Sequence, residues 1–70
     1  MESLKINGVE REFPAGQFPA TLEGLLKTLS VDAATVVAEI DGQIVEHKDF
    51  AGTKLQKGQS IELVRFVPGG

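Results

Sequence analysis

The sequence predicts an α+β protein in which a mixed sheet of four to five strands packs against one α-helix. Three observations lead to this expectation. Two runs of alternating apolar and polar residues flank the dipeptide Asn7-Gly8. A leucine stripe with helical spacing begins at Leu22, and two further β-type runs follow it. The 70 residues include no cysteine, so the core of this single domain must depend on apolar packing.

The first two strands are expected at residues 2–6 and 9–13. Asn-Gly between alternating runs is a strong hairpin signal, because a type I′ turn needs positive φ at both central positions. In such a hairpin Ile6 faces Val9, and the strand face that carries Leu4 and Ile6 is expected to join the core.

A helix is expected over residues 22–29. Its apolar stripe has the spacing i, i+3, i+4, i+7, and Thr21 is placed to accept a backbone N–H as the N-cap. Gly24 costs such a helix up to about 1 kcal/mol relative to alanine. The stripe consists of Leu22, Leu25, Leu26 and Leu29.

The second half of the chain predicts two more strands. Residues 36–40 alternate in polarity and end at the turn dipeptide Asp41-Gly42. Ile44 and Val45 are expected to continue this strand briefly beneath the core. The polar loop that follows has Phe50 and Leu55 as its apolar anchors, and residues 60–67 form the last strand. The element order is that of the β-grasp fold.

The composition argues against several classes of function. A net charge of −3 and four Phe as the only aromatic residues do not provide the basic, stacking face that nucleic acids require. No apolar run approaches the roughly 20 residues of a membrane span, so we expect a soluble cytoplasmic protein. His47 is the single histidine and no catalytic constellation accompanies it, so we expect a carrier or binding module rather than an enzyme.

Two features near the C-terminus remain as candidate sites. Val64, Phe66 and Val37 are expected on the sheet face opposite the helix, either as incidental exposed residues or as a docking patch. The final Gly69-Gly70 is either a frayed end or a flexible segment that presents a reactive carboxylate to a partner. We expect residues 1–66 to form the domain and residues 67–70 to form the flexible tail.

The segments VVAEIDGQIV and KLQKGQSIELVRFV and the final GG resemble the ThiS family. These are the sulfur carrier proteins of thiamine (thiazole) biosynthesis, which are related to MoaD and to ubiquitin. The resemblance covers essentially the whole chain. It implies that a ThiF-type enzyme adenylates the carboxylate of Gly70 with ATP and Mg. A persulfide donor then converts it to a thiocarboxylate, and the thiazole synthase ThiG accepts the sulfur.

The resemblance also assigns roles to residues. Gly69 supplies flexibility, while Val64, Phe66 and Arg65 dock the partner, and Val37 joins them from the predicted outward-facing set. The chain itself binds no cofactor or metal, and we expect a free monomer. Pro68 stands where the family usually has a small residue, and it stiffens the tail. A MoaD-like carrier for molybdopterin synthesis, a ubiquitin-like modifier of lysines and a plain interaction module are the alternatives.

Overall fold

The computed structural model describes residues 2–66, and within them the predicted α+β fold is confirmed. Five strands form one mixed sheet with the spatial order β2-β1-β5-β3-β4, and one α-helix covers one face. The elements are β1 (Glu2–Ile6), β2 (Val9–Phe13), α1 (Leu22–Thr28), β3 (Val36–Ile40), β4 (Gln43–Val45) and β5 (Ser60–Arg65). Two 3₁₀ helices, Ala33–Thr35 and His47–Gly52, complete the described part of the chain.

The first hairpin has the predicted bounds and register. Asn7 and Gly8 have φ values of 50° and 81°, the positive values that a type I′ turn requires. Ile6 pairs with Val9, and Leu4 is fully buried in the core. The two-residue turn therefore decides which face of β1 is buried.

β1 and β5 are parallel neighbours at the centre of the sheet. Their ladder is short, joining Lys5 to Ser60 and Ile6 to Ile61. The other side of β5 is antiparallel to all five residues of β3. The sheet is therefore mixed, as expected, and its centre is the strand that leads to the C-terminus.

The helix packs its leucine stripe onto the sheet. Leu22, Leu25 and Leu26 are buried, while Leu29 is half-buried at the C-cap. The hydroxyl of Thr21 accepts a hydrogen bond from the N–H of Gly24 at 3.1 Å, which confirms the predicted N-cap. The helix ends one residue earlier than expected.

The prediction for Ile44 was wrong. This residue is 69% exposed, although its neighbour Val45 packs against the core. The Asp41-Gly42 turn reverses the chain instead of letting β3 continue, and it pairs Glu39 with Ile44. Because Glu39 points away from the core, Ile44 must do so as well.

The segment after β4 is more ordered than the loop that was predicted. Its residues from His47 to Gly52 form a 3₁₀ helix. Phe50 and Leu55 are buried, so the two predicted anchors are confirmed.

The last strand ends at Arg65, before the expected end at residue 67. The N–H of Phe66 still donates a hydrogen bond to the carbonyl of Thr35 at 2.9 Å, which extends the β3 side of the ladder by one residue. Val67 lies outside the described residues. None of the described helices has the length and apolar character needed to cross a bilayer.

Candidate functional site

The sheet face opposite α1, here called the outer face, carries most of the predicted site. Side chains alternate along each strand, and the buried set identifies the inner face. Strand pairing then places the other set on the outer face. Its members are Ser3, Lys5, Glu10, Glu12, Val37, Glu39, Ile44, Ser60, Glu62, Val64 and, directly after β5, Phe66.

Val37 and Val64 form the centre of an apolar patch. They are direct cross-strand partners on β3 and β5, and they are 45% and 59% exposed. Phe66 is 45% exposed and follows Val64 by two residues, so the ladder bond to Thr35 keeps it on the same face. The structure thus brings together three of the four predicted docking residues.

Ile44 adds a fourth apolar side chain to this face, and the sequence prediction missed it. It lies opposite Glu39 on the edge strand β4. The signal was present in the sequence, because a two-residue turn at Asp41-Gly42 forces Ile44 to share a face with Glu39.

Arg65 is not part of the patch. It pairs with the buried Val36, which puts it on the helix side of the sheet. There it lines an open hollow of about 410 Å³ together with Leu29, Val31 and Leu63. The structure therefore separates Arg65 from Val64 and Phe66, although the three are consecutive in sequence.

Acidic side chains lie beside the apolar patch. Glu39 and Glu62 are direct cross-strand partners on β3 and β5. On the outer face they form the pair next to Val37 and Val64. Glu10 and Glu12 lie on the same face at the β2 edge, where Lys5 is the cross-strand partner of Glu10. The apolar patch therefore lies towards the end of β5, and the acidic side chains lie on its other side, towards the start of β5.

The end of β5 is held on both sides. On the β3 side, the main chain of Phe66 bonds to Thr35. On the β1 side, the carboxamide of Asn7 bonds to the main chain of Leu63. These bonds hold the described chain up to Phe66, and the predicted tail residues Pro68, Gly69 and Gly70 lie outside the described residues.

His47 lies away from the outer-face patch. It is exposed at the start of the second 3₁₀ helix, and its ring centroid is 5.2 Å from that of Phe50. Across residues 2–66, no three His, Cys, Asp or Glu side chains come together in a way that could hold a metal ion.

The family model that matches this chain is that of the ThiS family, over residues 4–70. A thiazole synthase of Paramagnetospirillum magneticum is 39% identical over 67 residues, which is 96% of this chain. The matched region is 20% of that protein, so the chain spans about one fifth of the length of this relative.

Two solved structures of a thiamine biosynthesis protein (ThiS) of Geobacter metallireducens have the same fold. The crystal structure has a TM-score of 0.79 at 29% identity and covers 97% of this chain and 99% of its own. The solution structure has a TM-score of 0.77 at 29% identity, with 97% and 87% covered. The family match, together with the five-stranded β-grasp sheet, shows that this chain belongs to the ThiS family, the small sulfur carrier proteins of thiamine biosynthesis.

Proposed function

We propose that this chain carries sulfur on the carboxylate of Gly70 and delivers it to thiazole formation. One observation carries the proposal: the match to the ThiS family extends through residue 70, so it includes both terminal glycines. The residues support a carrier that partners act upon, because the chain has no cysteine on which a persulfide could form. The terminal carbonyl is then the site available for the sulfur.

The proposed reaction proceeds in three balanced steps. A carboxylate oxygen of Gly70 attacks the α-phosphorus of Mg-bound ATP on a ThiF-type enzyme, and pyrophosphate leaves. The terminal sulfur of a donor persulfide then attacks the acyl carbon, and AMP leaves. A second thiol of the donor or of the activating enzyme then attacks the donor cysteine sulfur of the resulting acyl disulfide. It forms a new disulfide with that cysteine, and the sulfur–sulfur bond to the acyl group breaks to release the thiocarboxylate. ATP and Mg belong to the activating enzyme in this scheme, and the chain binds neither.

Thiazole synthase is the proposed acceptor of the sulfur. The 39% identical relative is a thiazole synthase, and it contains a segment like this chain within a longer protein. A carrier and its acceptor in one polypeptide stay at high effective concentration, which suits two components of one reaction. This relationship favours thiazole formation over molybdopterin synthesis.

The outer-face patch of Val37, Val64, Phe66 and Ile44 is the proposed docking surface for the activating enzyme. These four side chains are exposed, and apolar groups lose contact with water when a partner covers them. Residues 67–70 form the proposed reactive tail, and four extended residues reach at most about 14 Å. Gly69 permits a close approach of the backbone, whereas Pro68 restricts the direction of the tail.

The test uses the absence of thiols in the chain. The protein is incubated with a ThiF-type enzyme, Mg-ATP and a persulfide donor, and its intact mass is measured. We expect a gain equal to the mass difference between sulfur and oxygen. Because the chain has no cysteine, iodoacetamide should then alkylate the product but leave the untreated protein unmodified.

The matched control is the chain that lacks Gly70. We expect it to keep the thermal unfolding of the full chain and to gain no sulfur. An unchanged mass of the full chain with enzymes of demonstrated activity would overturn the proposal. Isopeptide conjugates to lysines without sulfur transfer would instead support the modifier.

A further inference from the structure

We propose that the outer face docks a protein surface that has an apolar region beside a basic side chain, and that this arginine or lysine sits between Glu39 and Glu62. The inference rests on the proposed function, in which this face binds the activating enzyme. It adds the chemical character of the surface that the enzyme must present.

Glu39 and Glu62 are neighbours on the outer face. Glu39 and Glu62 are direct partners in the β3–β5 ladder. Side chains in such positions have Cβ atoms about 4.5–5.5 Å apart, and like charges there destabilise a sheet. A side chain from outside that contacts both carboxylates would convert this repulsion into attraction.

Neither carboxylate forms an ion pair with another described residue. Within residues 2–66 the ion pairs are Lys27 with Glu23 and Lys48 with Glu46, and neither involves the outer-face pair. Lys5, the basic residue on the described outer face, is the cross-strand partner of Glu10 on one side and of Ser60 on the other, and it forms no ion pair with Glu62. Glu39 and Glu62 therefore have no salt-bridge partner in the described part of the chain.

Exposed apolar side chains lie beside the two carboxylates. Val37 and Val64 form an exposed pair on the same two strands, and Ile44 lies directly opposite Glu39. A partner that covers these side chains also removes water from the two carboxylates. A carboxylate that loses water without gaining a cation is costly, so a partner that lacks the basic residue is rejected. The pair thereby contributes specificity as well as affinity.

Charge complementarity identifies the partner surface as basic. The described outer face has Glu10, Glu12, Glu39 and Glu62 against Lys5. An arginine suits the central position best, because its planar guanidinium has five N–H donors and can bond to two carboxylates at once. Opposite charges on the two surfaces also accelerate their association at low salt.

The experiment compares two variants with the same change in charge. In Glu39→Gln/Glu62→Gln both carboxylates of the pair are replaced. In the control, Glu23→Gln/Asp49→Asn, the replaced groups lie on α1 and on the second 3₁₀ helix, which pack together on the core side of the sheet. Binding to a ThiF-type enzyme is measured for both by surface plasmon resonance over a series of NaCl concentrations.

We expect the paired variant to raise the Kd about tenfold or more at low salt, and the control to change it far less. The difference should shrink as NaCl screens the charges. The melting temperature of the paired variant should be unchanged or higher, because a repulsion has been removed. Equal Kd values for the two variants would overturn the inference.

Single variants test whether one cation contacts both carboxylates. If it does, the effects of Glu39→Gln and Glu62→Gln should be non-additive in a double-mutant cycle. Additive effects of the two substitutions on the binding free energy would overturn the hypothesis that one cation contacts both carboxylates. Sulfur transfer to the unsubstituted protein is measured in the same series. Its absence would overturn the proposed function, whereas normal transfer with no effect of the glutamine variants would overturn this inference alone.

Discussion

Asn7 binds the main chain of Leu63 with both ends of its carboxamide. Its Oδ1 accepts a hydrogen bond from the N–H of Leu63 at 2.7 Å, and its Nδ2 donates to the carbonyl of Leu63 at 3.2 Å. The β1–β5 ladder ends one residue earlier, where Ile6 pairs with Ile61. The side chain of Asn7 thus takes the place of the next residue of β1 and supports β5 close to its end.

Asn7→Gly separates this role from the role of Asn7 in the turn, because glycine also adopts positive φ. We expect a loss of about 1–2 kcal/mol in the free energy of unfolding, since two hydrogen bonds disappear. Amide exchange measured by NMR should accelerate at Leu63. In Asn7→Asp the acceptor for that N–H remains, so Leu63 should keep more of its protection. Unchanged exchange in the glycine variant would contradict the assignment.

Gly24→Ala should stabilise the protein. A Cβ at this helical position would lie 3.4 Å from the Oγ1 of Thr21 and 4.0 Å from the Cβ of Pro19, which is ordinary contact. We expect a gain of about 0.5–1 kcal/mol in the free energy of unfolding, measured by urea denaturation.

Gly42→Ala is the matched control for that substitution. Gly42 has a φ of 85°, which alanine adopts only with strain. We expect it to lose about 1 kcal/mol or more, although its Cβ would meet no atom within 4 Å. A loss for Gly24→Ala as large as that for Gly42→Ala would show that the helix cannot accommodate the methyl group.

Leu26→Ala and Ile44→Ala compare the effect on stability of shortening a buried and an exposed apolar side chain of similar size. Leu26 is 1% exposed within the core, whereas Ile44 is 69% exposed. We expect Leu26→Ala to cost about 2–5 kcal/mol, which is enough to unfold much of a domain of this size. Ile44→Ala should change stability by about 0.5 kcal/mol or less. Circular dichroism melts of the two variants measure the contrast, and a large loss for Ile44→Ala would place that residue in the core.

Phe66→Asp should impair docking while leaving the fold intact. The ring is 45% exposed and follows the last residue of β5, so its replacement should change stability by about 0.5 kcal/mol or less. Binding to a ThiF-type enzyme should weaken about tenfold or more, because a charge would enter the apolar patch.

Val9→Asp is the matched control for Phe66→Asp. Val9 is 69% exposed on the edge strand β2, paired with Ile6 of the inner face and remote from the patch. We expect it to bind the enzyme as the unsubstituted protein does. Equal weakening by both substitutions would show that the effect depends on net charge rather than on the patch.

The local elements could be predicted from the sequence because their signals are local. The positive φ of Asn7 and Gly8, the N-cap at Thr21 and the burial of Leu25 each follow from residues within one turn or one strand. The prediction for Ile44 failed because we expected residues 44 and 45 to continue β3, whereas they form the second strand of a hairpin. The Asp41-Gly42 dipeptide indicated that hairpin in the sequence.

The candidate site was harder to predict, because it depends on pairing between distant segments. Asn7 and Leu63 are 56 residues apart, and nothing in the spacing of either residue indicates their contact. The exposure of Val37 and Val64 follows from alternation, but the opposition of Glu39 and Glu62 requires the register between β3 and β5. Register depends on the whole core, so it lies beyond local patterns.

The parallel arrangement of β1 and β5 has a practical consequence for experiments on this protein. The last residue of β1, Ile6, pairs with Ile61 near the start of β5. The remainder of β1 extends back to Glu2, whereas the remainder of β5 extends in the opposite direction to Arg65. Glu2 and Phe66 therefore lie at opposite ends of the sheet. An affinity tag or a biotin placed before Glu2 would anchor the molecule on a sensor surface by the end remote from Phe66. The end of the sheet that carries Phe66 would then remain accessible to a binding enzyme.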